Sequence, residues 1–577
     1  MISKIVFVFL LLTCSRVCGT QNHISEYDLT IQLHLPDSSF SGMEQLSLFA
    51  DSNVKLASAN LTIDSVTCAE HTLLFRISPG TLLIELPPGL LHKEIKLSIA
   101  YHGKPTTGLV IHPQEVYSGF NSDSWFPCDP MPGNKARYRL TVFIPASWHI
   151  AASGDEQHPG PQSDGALRYS FYQDVPIAAY TFGFASGMFD VDSSTIGSVR
   201  SRYFTTNYSH PEIDSIFFDV PNIISYFDSI SGIAYPYSSY TQVFTRDDNE
   251  QEAVRFCMLS NDYGKEVLAD PREEWLIIHE LCHQWFGNSI TCGDWSDFWL
   301  NEGLTTFLTA CYKERAFGKD EFDRELYLAH LRYERIRGTA KDLPIVRYNY
   351  HKSSEMGGIV TYYKGALVLN YLRSIIGKKA FGSALRSYAT KYWQKSVNTE
   401  DFEREMERAA KTNLKWFFDE WVYRSDSLSV QAHYSLRKNN VDLTLSQSGP
   451  RTYDLPLEVS VTSRRVLKTY SIRFHTPRAT FSFPIADSLD CIAIDDEKTL
   501  PIPIAFDRPF AMLMYQARYD INLPGKVDAM NELALHFNEY SSQDRQQVLT
   551  VLEDAAHAST RLEMQVSKNL LKKLTSK

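Results

Sequence analysis

Basic residues are in the minority in this chain: 57 Lys and Arg stand against 68 Asp and Glu, for a formal net charge of −11 and a pI near 5.9. No basic surface is left to follow a phosphate backbone, so nucleic acid is excluded as a partner. Long apolar runs are missing as well. The first twenty residues, MISKIVFVFLLLTCSRVCGT, hold an apolar stretch of about ten residues behind one lysine, with small residues near Val17-Cys18-Gly19. That is too short for a mature anchor. The expected reading is a signal peptide over 1–19 and an exported or secreted product (periplasm, extracellular space or secretory lumen) without a transmembrane span. Acylation at Cys14 is the alternative, which Thr13 fits poorly. Cysteine is scarce too: of nine, two lie in the leader, and an odd seven excludes a fully paired disulfide framework. Cys292 and Cys311 are near enough in sequence to invite pairing. Cys282 is expected to be a small buried hydrophobe.

What the chain does have is IIHELCHQWFGN, residues 277–288, with two histidines four apart and a glutamate after the first. Asp270 suits an N-cap, Pro271 the first helical position, Glu273 a capping-box-like spacing and Gly287-Asn288 a stop. Trp275, Ile278, Cys282 and Trp285 recur at helical steps. The pattern predicts a helix of about sixteen residues, with His279 and His283 on one face and Glu280 beside them. A pair of solvated or core histidines would look the same. A catalytic zinc usually takes three protein ligands and leaves one position open. Glu302, in FWLNEGLTTFL, follows His283 by nineteen positions and opens a second helical pattern bearing Leu304, Phe307, Leu308 and Cys311. His279, His283 and Glu302 are thus the candidate ligands for one Zn2+ per chain.

The run from HELCHQWFGN through WSDFWLNEG resembles the zinc aminopeptidases related to alanyl aminopeptidase and leukotriene hydrolase. The likeness extends to EYDLTIQLHLPDSSFSG, SWFPCDPMPGNKARYRLTVFIPASW and IAAYTFGFASGMF before the zinc segment, and to VTYYKGALVLNYL and WFFDEWVYRSD after it. It implies a zinc-dependent aminopeptidase that removes N-terminal residues from peptides by a zinc-activated water. Glu280 would be the general base and Tyr362, selected by the Lys-Gly-Ala behind it, the oxyanion donor.

One family segment is degenerate. Relatives carry Gly-Ala-Met-Glu-Asn about thirty residues before the zinc helix, where its glutamate is thought to hold the substrate's α-amine. Here the chain reads TRDDNEQEAVRFCMLSNDYG. Glu252 falls on the motif glutamate and Glu250 is its rival. Two other functions therefore stay open: a zinc endopeptidase with altered amine recognition, and a non-catalytic, zinc-stabilised peptide- or protein-binding relative.

The fold class expected is multidomain α+β. Residues 20–205 alternate in period two and form an N-terminal β-domain. Residues 206–425 form a thermolysin-like, mainly helical catalytic domain, and 426–507 a small β-sandwich. Residues 508–577 form a short helical C-terminal segment of two or three helices, implying a more open cleft than in larger relatives. Its KNLLKKLTSK tail is expected to solvate a helix end or fray. Oligomeric state is left open.

Overall fold

The computed structural model describes residues 22–161, 166–247, 250–350 and 355–575. The leader reading over 1–19, with Cys14 and Cys18, lies outside the described residues.

The N-terminal part is built on an eight-stranded sheet. Its central strand, His23–His34, pairs antiparallel with Ser39–Ala50 and parallel with Ala136–Pro145. Period-two alternation sends Tyr27, Leu29 and Ile31 into the core and leaves Gln32 and His34 outside.

Two smaller sheets, of four and three strands, complete this part, and beyond them another four-stranded sheet runs in the order Asp190–Ile196, Val199–Thr205, Ser239–Thr245, Phe256–Ser260. The last three strands are parallel, and two helices, His210–Ile216 and Val220–Ser231, lie in the crossover. This sheet runs across residue 205, so the strands at 190–205 share hydrogen bonds with the segment that leads into the zinc motif. Every residue of Phe256–Ser260 is buried, as befits a strand covered on both faces.

Two further sheets, of four and three strands, occupy residues 429–506 and make the small sandwich. Behind it come four helices rather than two or three: Phe510–Tyr519, Leu523–Leu535, Ser542–Ala555 and Arg561–Thr575. The KNLLKK stretch continues the last helix instead of fraying, with Leu570, Leu571 and Leu574 packed on the helical core while Lys572 and Lys573 stay outside. Among the described residues no helix is long and apolar enough to cross a membrane. All seven described cysteines are free, Cys292 and Cys311 included. Cys282 is fully buried on the first motif helix.

Candidate metal centre and substrate cavity

The first motif helix is shorter than its sequence pattern. A 3-10 turn, Pro271–Glu273, precedes an eight-residue α-helix, Trp275–Cys282. Asp270 does cap, accepting from the Arg272 N–H at 3.1 Å. Glu273 does not close a capping box. Its carboxylate turns outward to Arg324 at 2.9 Å and to Arg561 of the last helix. The amides of Leu276 and Ile277 instead donate to the Tyr263 hydroxyl, at 3.0 and 3.4 Å. A tertiary contact thus sets where the helix begins, which local spacing cannot reveal.

The far end is equally specific. His283 Nδ1–H donates to the Phe286 carbonyl at 3.0 Å, which turns its Nε2 lone pair inward. Thr305, from the second motif helix Trp299–Phe317, donates to the same carbonyl at 3.2 Å. Gly287 has φ +129°, and a Cβ there would stand 2.6 Å from His283 Nδ1. Only glycine lets the chain turn so tightly over the imidazole.

The second motif helix brings Glu302 up in its first turn. His279 Nε2 and His283 Nε2 lie 3.1 Å apart, and each is 3.4 Å from Glu302 Oε2. Four ligands at about 2.0–2.1 Å around a tetrahedral zinc stand roughly 3.3–3.4 Å from one another. The spacing and the donor set, two imidazoles and one carboxylate, therefore fit such an ion. The three residues are buried, and Glu302 Oε1 has no hydrogen-bond partner among the described residues. Burial draws the His279 imidazole below its ordinary range. Burial acts the same way on His283, but Glu302, Glu252 and Glu280 together push it well up. Burial would raise Glu302, yet the two histidines bring it below the usual carboxylate range. So many buried carboxylates call for positive charge at the centre of the cluster.

Glu280 is 4 % exposed on the same helix, and its Oε2 has no partner among the described residues. Burial first, then Glu252 and Glu302, lifts its pKa far above that of a free carboxylate, against a lowering by His283.

Tyr362 lies on a π-turn, Val360–Lys364. Its ring is near-parallel to that of His279, with centroids 6.2 Å apart. Burial, then Glu302, keeps the phenol protonated. Two motif glycines make the approach possible. A Cβ on Gly303 would meet the Thr361 carbonyl at 2.7 Å and the Gly365 Cα at 3.1 Å. The glycines of NEG and KGA are thus back to back, letting the π-turn sit directly on the second motif helix. Lys364 anchors the turn from behind, 3.0 Å from both Asp342 Oδ1 and the Leu343 carbonyl.

Glu252 and Glu250 share one cavity with this cluster. Its volume is about 760 Å³, and it is lined by Phe120, Trp275, Tyr362 and Tyr363 as well as the metal trio and Glu280. Glu252 is buried and its Oε1 is unpartnered among the described residues; Glu250 is exposed. Burial, then Glu302, raises the Glu252 carboxyl. The segment around Glu252 is held by long-range bonds. Gln284, next to His283, is fully buried; its amide donates to the Ala253 carbonyl at 3.0 Å and accepts from the Arg255 N–H at 2.9 Å. The Val254 N–H donates to the Thr181 carbonyl at 2.9 Å, and Gln251 Nε2 to that of Tyr180 at 3.3 Å. Sequence reading missed Gln284, although a lone amide between His283 and Trp285 on an otherwise apolar helix end was a visible signal.

The peptidase family M1 domain matches residues 218–421, the segment that carries all of these groups except Arg561 and those of the β-domain. Over that segment this chain is similar to peptidase family M1. It is 21% identical over 503 residues to the probable aminopeptidase 2 of Sulfurisphaera tokodaii, covering 82% of this chain and 63% of that one. It is 26% identical over 405 residues to a leukotriene A-4 hydrolase homolog of Botryotinia fuckeliana, covering 63% and 61%. Less than two thirds of the length of either relative is therefore spanned. Among solved structures, Legionella pneumophila aminopeptidase A in complex with aspartic acid superposes with a TM-score of 0.81 over 96% of this chain and 72% of that one, at 15% identity. At that identity the likeness shows the multidomain α+β fold alone. The chain thus has the N-terminal sheets, the helical region with the candidate metal trio, the sandwich and the terminal helices of that fold.

Proposed function

We propose that the chain is a zinc-dependent aminopeptidase which hydrolyses N-terminal residues from peptides, with His279, His283 and Glu302 as ligands of one Zn2+. The observation that carries this reading is that two buried carboxylates besides the ligand, Glu280 and Glu252, open unpartnered oxygens into the same cavity as the metal trio. One suits a proton shuttle, the other an ammonium group. When bound, zinc would supply Lewis acidity to the scissile carbonyl and acidify the attacking water. Glu280 takes the water's proton at its buried carboxylate and delivers it to the leaving amine. Tyr362 keeps its own proton and donates a hydrogen bond to the tetrahedral oxyanion. Glu252 pairs with the free α-amine, with Glu250 two residues away as a second carboxylate.

The endopeptidase alternative loses ground because a carboxylate does border the cavity. A non-catalytic, zinc-stabilised binding role loses ground because a structural zinc has no use for Glu280. We also propose export, on the leader-like first twenty residues, and the four-part division at 205, 425 and 507.

The test is mass spectrometry of a peptide library, each member with a free or an acetylated amino end, after incubation with zinc-loaded protein and with Glu280→Gln. Stepwise loss of first residues from free peptides alone, absent in the variant, is expected. Internal cuts in both sets would mean an endopeptidase; no cleavage would leave a binding protein.

A further inference from the structure

The cavity wall is unusually acidic. Beyond Glu250, Glu252, Glu280 and Glu302 it includes Glu266, Asp270, Glu273 and Glu325, against two arginines, Arg324 and Arg332. Arg324 is committed, 2.9 Å from Glu273 and 3.1 Å from Glu325. Arg332 is not. It stands in the last turn of the helix Lys319–Glu334, exposed, with its guanidinium 4.6 Å from the centroid of the Tyr363 ring. Among the described residues it makes no ion pair or hydrogen bond.

Two physical consequences follow from that placement. Asp270, Glu273 and Glu325 are neutralised by Arg272, Arg324, Arg561 and Lys313, so a carboxylate entering this cavity meets the buried Glu252 and Glu280 on the metal side and, at Arg332, the lining cation that no carboxylate already holds. The ring beneath supports the guanidinium, which donates no hydrogen bond among the described residues, so a two-point hydrogen bond costs little further ordering.

The position is also within reach of the metal trio. His279 to Tyr362, Tyr362 to Tyr363 and Tyr363 to Arg332 are steps of 6.2, 6.4 and 4.6 Å. An extended peptide covers at most about 3.3–3.6 Å per residue, so roughly two to five residues bridge the distance.

We propose that Arg332, stacked on Tyr363, is the site in this cavity that receives a carboxylate of the substrate, either the C-terminus of a short peptide or an acidic side chain within it. The proposal rests on the peptidase reading above, and it makes Arg332 a specificity-determining residue. The rival role is general charge compensation, which would act on all peptides alike.

The two claims are separated by measuring binding apart from turnover. Dissociation constants are taken by calorimetry on zinc-loaded Glu280→Gln protein, with and without Arg332→Ala, Arg332→Lys or Arg332→Glu. The probes are Leu-Gly-Gly-Gly as free acid and as C-terminal amide, and the amides of Leu-Gly-Asp-Gly and Leu-Gly-Asn-Gly. Hydrolysis of leucine p-nitroanilide by the Glu280-containing protein reports on the peptidase reading alone.

The expected result is about tenfold tighter binding of the carboxylate member of at least one pair. That ratio should fall toward one with Arg332→Ala, recover in part with Arg332→Lys and invert with Arg332→Glu. An acid-over-amide contrast assigns the C-terminus, an Asp-over-Asn contrast the side chain. Equal affinities within both pairs, or a contrast that survives Arg332→Ala, would overturn the proposal whatever the anilide result. Absence of anilide hydrolysis alongside an intact contrast would instead remove the peptidase reading and leave the carboxylate site standing.

Discussion

The two walls of the cavity are built in different ways. On the metal wall, His279 and Glu280 lie on one short helix with His283 at its end, Glu302 comes from the second motif helix, and Tyr362 rides on a π-turn whose approach to that second helix only Gly303 and Gly365 allow. On the amine wall, Glu252 belongs to an irregular segment held by Gln284, Thr181 and Tyr180, from two other regions of the chain. One wall is fixed by helical periodicity and close packing, the other by hydrogen bonds with no sequence period. Substitutions should therefore separate the two walls: catalysis from the first, affinity for the free amine from the second.

The largest effect is expected from Glu280→Gln, a loss of about 10²–10⁴ in kcat with zinc content unchanged by elemental analysis. Loss of zinc in that variant would make Glu280 part of the metal site instead. Tyr362→Phe should follow, lowering kcat about 10²–10³-fold with little change in KM, since an oxyanion donor acts only once negative charge has formed. Equal losses in KM would move Tyr362 into ground-state binding.

Gly303→Ala tests the packing of the metal wall without touching any polar group. A Cβ 2.7 Å from the Thr361 carbonyl must push the π-turn away, at a cost of about 1–3 kcal/mol in stability. Activity should fall further than stability, because Tyr362 rides on that turn. Chemical denaturation and kcat measured together would show it.

On the amine wall, Gln284→Leu removes both bonds to the Glu252 segment. A KM raised roughly tenfold for peptides with free amino ends, with kcat reduced much less, is the expected result. A fall confined to kcat would mean that Gln284 serves the metal helix and not the amine site.

The smallest effect lies beneath the metal wall. Glu274, at the start of the zinc helix, is 1 % exposed, and burial, then the charge of Asp219, pushes its carboxyl up to about 9. The folded state thus keeps a proton that the unfolded chain releases near the ordinary glutamate value. Stability from this group is full below that value and is lost as pH rises toward 9. Glu274→Gln should flatten the decline in Tm between about pH 5 and 9. An unchanged slope would place the titration elsewhere.

How much of this was legible in advance differs between the same two walls. The candidate ligand set was legible from the i, i+4 spacing, a second amphipathic pattern behind it and the family resemblance, since imidazoles one turn apart must share a face. The length of the zinc helix was not legible: Tyr263, twelve residues before Trp275, takes up its first amides, and Glu273 is drawn away by Arg324 and Arg561. The last of these partners lies 288 residues further along the chain. The same distance hid the continuity of the sheet across residue 205 and the four terminal helices. Parallel pairing leaves no alternating pattern in strands buried on both faces.

By itself, then, the sequence determined that His279, Glu280 and His283 are one group, because local helical geometry links them, whereas the contact of Gly303 with Gly365 joins segments about sixty residues apart. Only the tertiary structure decided that Glu252 turns into the cavity, that Gln284 holds it there and that Arg332 is left without a carboxylate. Each of those outcomes depends on which distant groups a side chain meets once the chain is packed.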